Sequence, residues 1–81
     1  MATKSIFDPR YQALVATLVE QREKLKISQA EFASRIDRAQ QFVSRYENFE
    51  RRLDLIEYLD IATALGIDGL AEAARCWKPR R

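Results

Sequence analysis

The sequence predicts an all-α domain of five short helices, and three observations carry that expectation. Apolar residues make up 47% of the chain and return every three or four positions, with no run of strict alternation that would mark a strand. Polar residues suited to helix N-caps stand before the apolar runs at Asp8, Ser28, Asp54 and Asp68. Finally, 81 residues suffice for one domain with a small core, so a single unit spanning 1 to 81 is expected.

Asp8-Pro9 supplies an N-cap with proline at the first helical position, and Tyr11, Leu14, Val15, Leu18 and Arg22 fall on one stripe behind it. The first helix therefore runs to about Lys24. Ser28-Gln29-Ala30-Glu31 reads as a capping box, in which the serine oxygen accepts from the amide of residue 31 while the glutamate reaches back. That opens a second helix over about 29 to 36. A third covers about 40 to 48, with Val43 and Tyr46 inward and Gln40, Gln41, Ser44 and Arg45 on the opposite side. Its cap is either Ala39, a poor one, or Asp37 paired with Gln40 a turn earlier.

Asn48 to Arg52 is a short connection, after which Asp54-Leu55-Ile56-Glu57 repeats the cap-plus-glutamate pattern. The fourth helix it opens is closed by Gly66, and Asp68 caps a fifth over about 69 to 76. The ends, about 1 to 8 and 77 to 81, are expected to fray unless Trp77 finds a surface to pack on. Leu55, Leu59, Ala62, Leu65 and Ile67 are expected to complete the core. Tyr58, Leu70, Ala73, Ala74 and Trp77 are left for contacts with a second copy.

The chain has no histidine and one cysteine, which removes the usual zinc, Cys-His and Ser-His-Asp chemistries together. Neither an enzyme nor a metal or cofactor is expected, and Cys76 is expected to be an inert, buried thiol. No apolar run reaches the roughly 18 residues of a membrane span, and the start lacks the apolar core of a signal peptide. A cytoplasmic, nucleoid-associated protein is the expectation. The net charge of +2 is small but unevenly placed. Residues 22–52 carry eight basic against five acidic groups, whereas residues 53–74 carry five acidic groups and no base. Such a chain can offer a basic face to a polyanion while its other half stays acidic.

Between Gln29 and Asn48, two short helices are joined by about four residues, with Ala33 where their backbones must approach and Ile36, Val43 and Tyr46 closing the angle from inside. The second of these helices keeps its outer face free. The segment resembles the Cro/cI-like, or XRE, family of helix-turn-helix DNA-binding domains over about residues 10 to 70. The matching pieces are Ser28-Gln29 before Glu31 and Ala33, Val43-Ser44 before Glu47, and Ile61-Ala62 through Leu65-Gly66-Ile67. The resemblance implies a five-helix bundle of the phage-repressor type in which the third helix reads the major groove. It also implies a homodimer on a near-palindromic operator, and a partly buried ion pair between Arg22 and Glu47. Two positions depart from the family pattern: Asp37 stands where the interhelical turn usually has glycine, and Phe49 where glycine often follows the third helix.

On this reading Gln40, Gln41 and Arg45 are the candidates for base contacts, since glutamine pairs bidentately with adenine and arginine with guanine. Ser44 joins them, and the Phe42 ring is a weaker candidate for a thymine methyl. Gln29, in the first turn of the second helix, is a candidate phosphate ligand, as are Arg38, Arg51 and Arg52 flanking the third. The expected function is a sequence-specific transcription regulator binding double-stranded DNA. The alternative is a protein-interaction module or antitoxin-type component that grips a protein partner through its acidic helix 4 and 5 half.

Overall fold

The computed structural model describes residues 6–79 and contains the five expected helices: α1 (Pro9–Lys24), α2 (Gln29–Arg35), α3 (Gln40–Glu47), α4 (Leu55–Ala64) and α5 (Gly69–Cys76). Their starts follow from local chemistry. The side chains of Asp8, Ser28, Asp54 and Asp68 each accept a hydrogen bond from an amide in the first turn of the helix they precede. At α4 the capping box is complete, with Glu57 accepting from the Asp54 amide in return. Ala39 caps α3 without any side-chain bond, so Asp37 is not the cap. The reason lies in what Asp37 does instead.

Helices α1, α2, α3 and α4 all end in the same way. Lys26, Asp37, Phe49 and Gly66 occupy the left-handed region at φ 59°, 59°, 60° and 79°, one residue past each C-cap. At each end the next amide bonds back to the third-last helical carbonyl: Ile27 to Arg22, Arg38 to Ala33, Glu50 to Arg45 and Ile67 to Ala62. This is the Schellman arrangement, which satisfies carbonyls the helix itself leaves open. Only one of the four positions is glycine, so the other three accept a strained backbone to obtain the turn.

The core is built from Val15 and Leu18 of α1, Phe32 and Ala33 of α2, Val43 and Tyr46 of α3, and Tyr58, Ile61 and Ala62 of α4, together with Leu65. Ile36, Leu59 and Ile67 are half-buried against it. Two expectations for α4 are corrected. Leu55 is 64% exposed, because the apolar stripe reaches its position but the stripe's end lies on an open groove between α1, α4 and α5. Tyr58, expected as a contact for a second copy, is buried, with its hydroxyl donating to the Gly69 carbonyl at 2.9 Å. Gly69 permits this closeness, since a Cβ there would stand 3.0 Å from Leu59 Cδ2 and 3.1 Å from Ala62 Cβ. Cys76 is half-buried rather than enclosed.

The two ends of the described chain meet. The Arg10 guanidinium pairs with Asp8, donates to the Lys78 carbonyl at 2.7 Å, and lies 4.6 Å over the Trp77 ring. The Trp77 ring thus meets Arg10 but stays 61% exposed. Residues 1–5 and 80–81, part of the ends expected to fray, lie outside the described residues.

Candidate nucleic-acid interface

α3 is anchored from behind. Arg22 of α1 donates from Nε and Nη2 to the two carboxylate oxygens of Glu47 at 2.7 and 2.9 Å, and from Nη1 to the Ile27 carbonyl at 2.7 Å. Gln29 of α2 adds a third bond to Glu47 at 2.8 Å. Only 11% of the Arg22 side chain and 6% of that of Glu47 reach solvent, so the bidentate pair is well shielded. One carboxylate thus ties α1, α2 and the last turn of α3 together. Gln29, a candidate phosphate ligand by sequence, has its amide nitrogen turned to this anchor. Beside it the Tyr46 phenol is held far above its ordinary ionisation range by burial and then by the Glu47 charge.

The outer face of α3 is the opposite. Gln40, Gln41 and Arg45 are exposed and their side chains make no hydrogen bond or ion pair among the described residues. Ser44, half-buried on the same face, accepts a long bond of 3.5 Å from Asn48. Phe42 turns away from them: it packs against the core and meets Tyr46 edge to face at 5.5 Å between centroids.

At the flank of α3 lies a cluster that spacing did not disclose. Arg51 makes a bidentate pair with Glu57 at 2.9 and 3.0 Å, and Arg38, from the α2–α3 turn, donates to the same carboxylate at 3.0 Å. Both guanidinium groups also rest on Phe42, with their central carbons 3.9 Å (Arg38) and 4.9 Å (Arg51) from the ring centroid. The Glu57 carboxyl is held below the usual carboxylate range, first by the Arg51 bonds, then by the Asp54 amide and the charges of both arginines, against a burial effect of opposite sign. In the sequence Glu57 is recognisable only as the acidic half of a capping box. Its partners are six and 19 positions away, beyond any helical spacing. Arg52 is exposed beside this cluster.

This framework, a short helix packed across a second one whose polar face is left open, is matched by known proteins. The helix-turn-helix family matches residues 18–70. An XRE-family like protein from Pseudomonas syringae pv. tomato str. DC3000 is 47% identical, with the match covering 93% of this chain and 92% of that one at a TM-score of 0.80. The chain belongs to the XRE-type helix-turn-helix family. No curated protein matches it at a significant level.

An XRE-type chain is a DNA-binding regulator, a class that is generally not enzymatic. The departures from the XRE pattern at Asp37 and Phe49 leave the turn geometry intact, because both residues adopt the left-handed conformation glycine would take. Aspartate does so at modest cost. Phe49 offsets its strain by packing its ring against the core. Among the described residues no helix is long and apolar enough to cross a membrane.

Proposed function

We propose that this chain is a sequence-specific transcription regulator that lays α3 in the major groove of double-stranded DNA, acting from the nucleoid in the cytoplasm without a cofactor. The observation that carries this reading is the contrast around α3: Gln40, Gln41 and Arg45 make no side-chain bond among the described residues, while Arg38, Arg51 and Glu57 beside them and Arg22 and Glu47 behind them are tied into the fold. Bare polar side chains on a rigidly anchored helix are what base readout requires. Gln40, Gln41 and Arg45 read base edges, with Ser44 alongside. Arg38, Arg51 and Arg52 contact phosphates. Gln29 contributes through the free amides of the first turn of α2, its side chain being engaged with Glu47.

A homodimer on a near-palindromic operator is part of the proposal. It is supported by an apolar groove of about 530 Å³ lined by Tyr11, Leu14, Ala73 and Trp77, continued by a smaller one that reaches Leu55 and Leu70. Leu55, Leu70 and Trp77 are each more than 60% exposed, and a second copy docked there would cover them. The groove lies on α1, α4 and α5, leaving α3 available.

The deciding experiment is selection of an operator from random DNA, followed by titration of selected and unselected duplexes at two salt concentrations. Tight binding to the selected site with a steep salt dependence is expected, and half-site spacing near one helical turn would report the dimer. Absence of DNA binding would sink the reading and favour a protein partner for the acidic α4–α5 half. Sedimentation of Leu70→Glu, expected to be monomeric where the native chain dimerises, tests the dimer face separately.

A further inference from the structure

We propose that Glu57 is a positioning residue for DNA binding: it gathers Arg38 and Arg51 on the Phe42 ring and aims both guanidinium groups at the phosphates flanking α3. The inference rests on the DNA-binding reading above and deepens it.

Two arginines drawn to one carboxylate would ordinarily be read as neutralised surface charge. The geometry says otherwise. Arg38 commits one N–H to Glu57, and Arg51 commits three, two to Glu57 and one to the Arg52 carbonyl, so each guanidinium keeps donors for a further acceptor. The side chains of Arg38 and Arg51 are each 40% exposed, whereas that of Glu57 is 15% exposed. The acid is thus the covered element and the bases are the presented ones. The aromatic ring beneath them belongs to α3 itself, so the position of both cations is referenced to the helix that reads bases.

Arg38 enters from the turn before α3 and Arg51 from the loop after it. A single carboxylate on α4 therefore fixes charge on both flanks of the reading helix, in the first turn of a helix closed by a complete capping box. Loose arginines would reach phosphates in many geometries and hold any DNA. Arginines fixed to the helix register favour the duplex placement in which the bases are also matched. The cluster carries one positive charge rather than two, so it exchanges raw attraction to phosphate for a defined docking geometry.

Glu57→Gln separates this role from capping, because glutamine keeps a capping-box acceptor for the Asp54 amide while losing the charge that gathers the arginines. Native chain and variant are titrated with selected and unselected duplexes across salt. The variant is expected to lose selectivity several-fold and to gain affinity for unselected DNA at low salt. Its salt dependence should steepen by up to about 0.9 in the log–log slope, an extra three- to fourfold loss between about 50 and 200 mM salt. The same substitution in an Arg38→Ala/Arg51→Ala background should change neither selectivity nor slope.

An unchanged slope and selectivity in Glu57→Gln, or an equal change in the arginine-free background, overturns the proposal. If Glu57→Gln does not fold, Arg51→Lys replaces it: charge is kept and the bidentate fork lost, so selectivity should fall at an unchanged slope, and unchanged selectivity overturns the proposal. Should the native chain itself bind no DNA, the functional reading has failed and not this inference alone.

Discussion

On the inner side of α3, Glu47 lies under three hydrogen bonds from two other helices, whereas on the outer side Gln40, Gln41 and Arg45 make no side-chain hydrogen bond or ion pair among the described residues. Both sets are polar residues on one eight-residue helix. The difference lies in desolvation. A carboxylate removed from water must be fully paired or it destabilises the fold, so its partners are structural. Groups that keep their water cost the fold nothing and remain free for another surface. On the proposed function, stability and recognition fall to opposite faces of α3, and substitutions should separate them.

The largest effect should come from the inner face. Glu47→Ala strands Arg22 and releases Gln29, and about 3 kcal/mol of stability should be lost, the low end for a buried pair because its edges reach water. In a domain this small the melting temperature should drop by more than about 10 °C. A loss below half that in thermal unfolding would break the contrast. On the outer face, Gln40→Ala, Gln41→Ala and Arg45→Ala should each cost about 1–3 kcal/mol in selected-site binding and change stability by less than about 0.5 kcal/mol. A variant that unfolds the chain instead would show that the face is not free.

Between these extremes lie the flank and the helix ends. Asp54→Ala removes the α4 cap, at a cost of about 1 kcal/mol by urea unfolding. Acid should act through Glu57 in a definite sense. Its folded-state carboxyl ionises below the ordinary value of 4.5, so its contribution is complete above that pH and is lost as pH falls through the lower, folded-state value. Unfolding measured at neutral pH and near pH 3 should therefore show a larger acid-induced loss in the native chain than in Glu57→Gln. The smallest effects belong to the surface. Lys26→Gly should relieve a left-handed lysine and change stability by less than about 1 kcal/mol in the favourable direction. Glu31→Ala, which breaks an exposed pair with Arg35, should cost less than about 0.5 kcal/mol.

How much of this was legible depended on the range of the interaction. Caps at Asp8, Ser28, Asp54 and Asp68 act within one turn, and the start of each of those helices could be read from a few neighbouring residues. The left-handed turn at Gly66 could be read from its glycine. Those at Asp37 and Phe49 use the same hydrogen bonds at positions marked only by the family resemblance, and the one at Lys26 carries no signal in the sequence. For α4, periodicity put Leu55 on the apolar stripe without revealing that the stripe's end is uncovered. It also could not show that Gly69 lets α5 approach closely enough to bury Tyr58.

By itself the sequence determined the five helices, their order and the polar face of α3, because caps and 3.6-residue periodicity are local physics. Tertiary structure alone decided where long side chains spend their hydrogen bonds. Gln29 turns to Glu47, and Arg38 and Arg51 converge on Glu57 across Phe42, since partners 18, 19 and six positions apart meet only when three helices are packed. The charges of the proposed interface were visible in the chain, but the direction in which they point was not, because direction follows from packing.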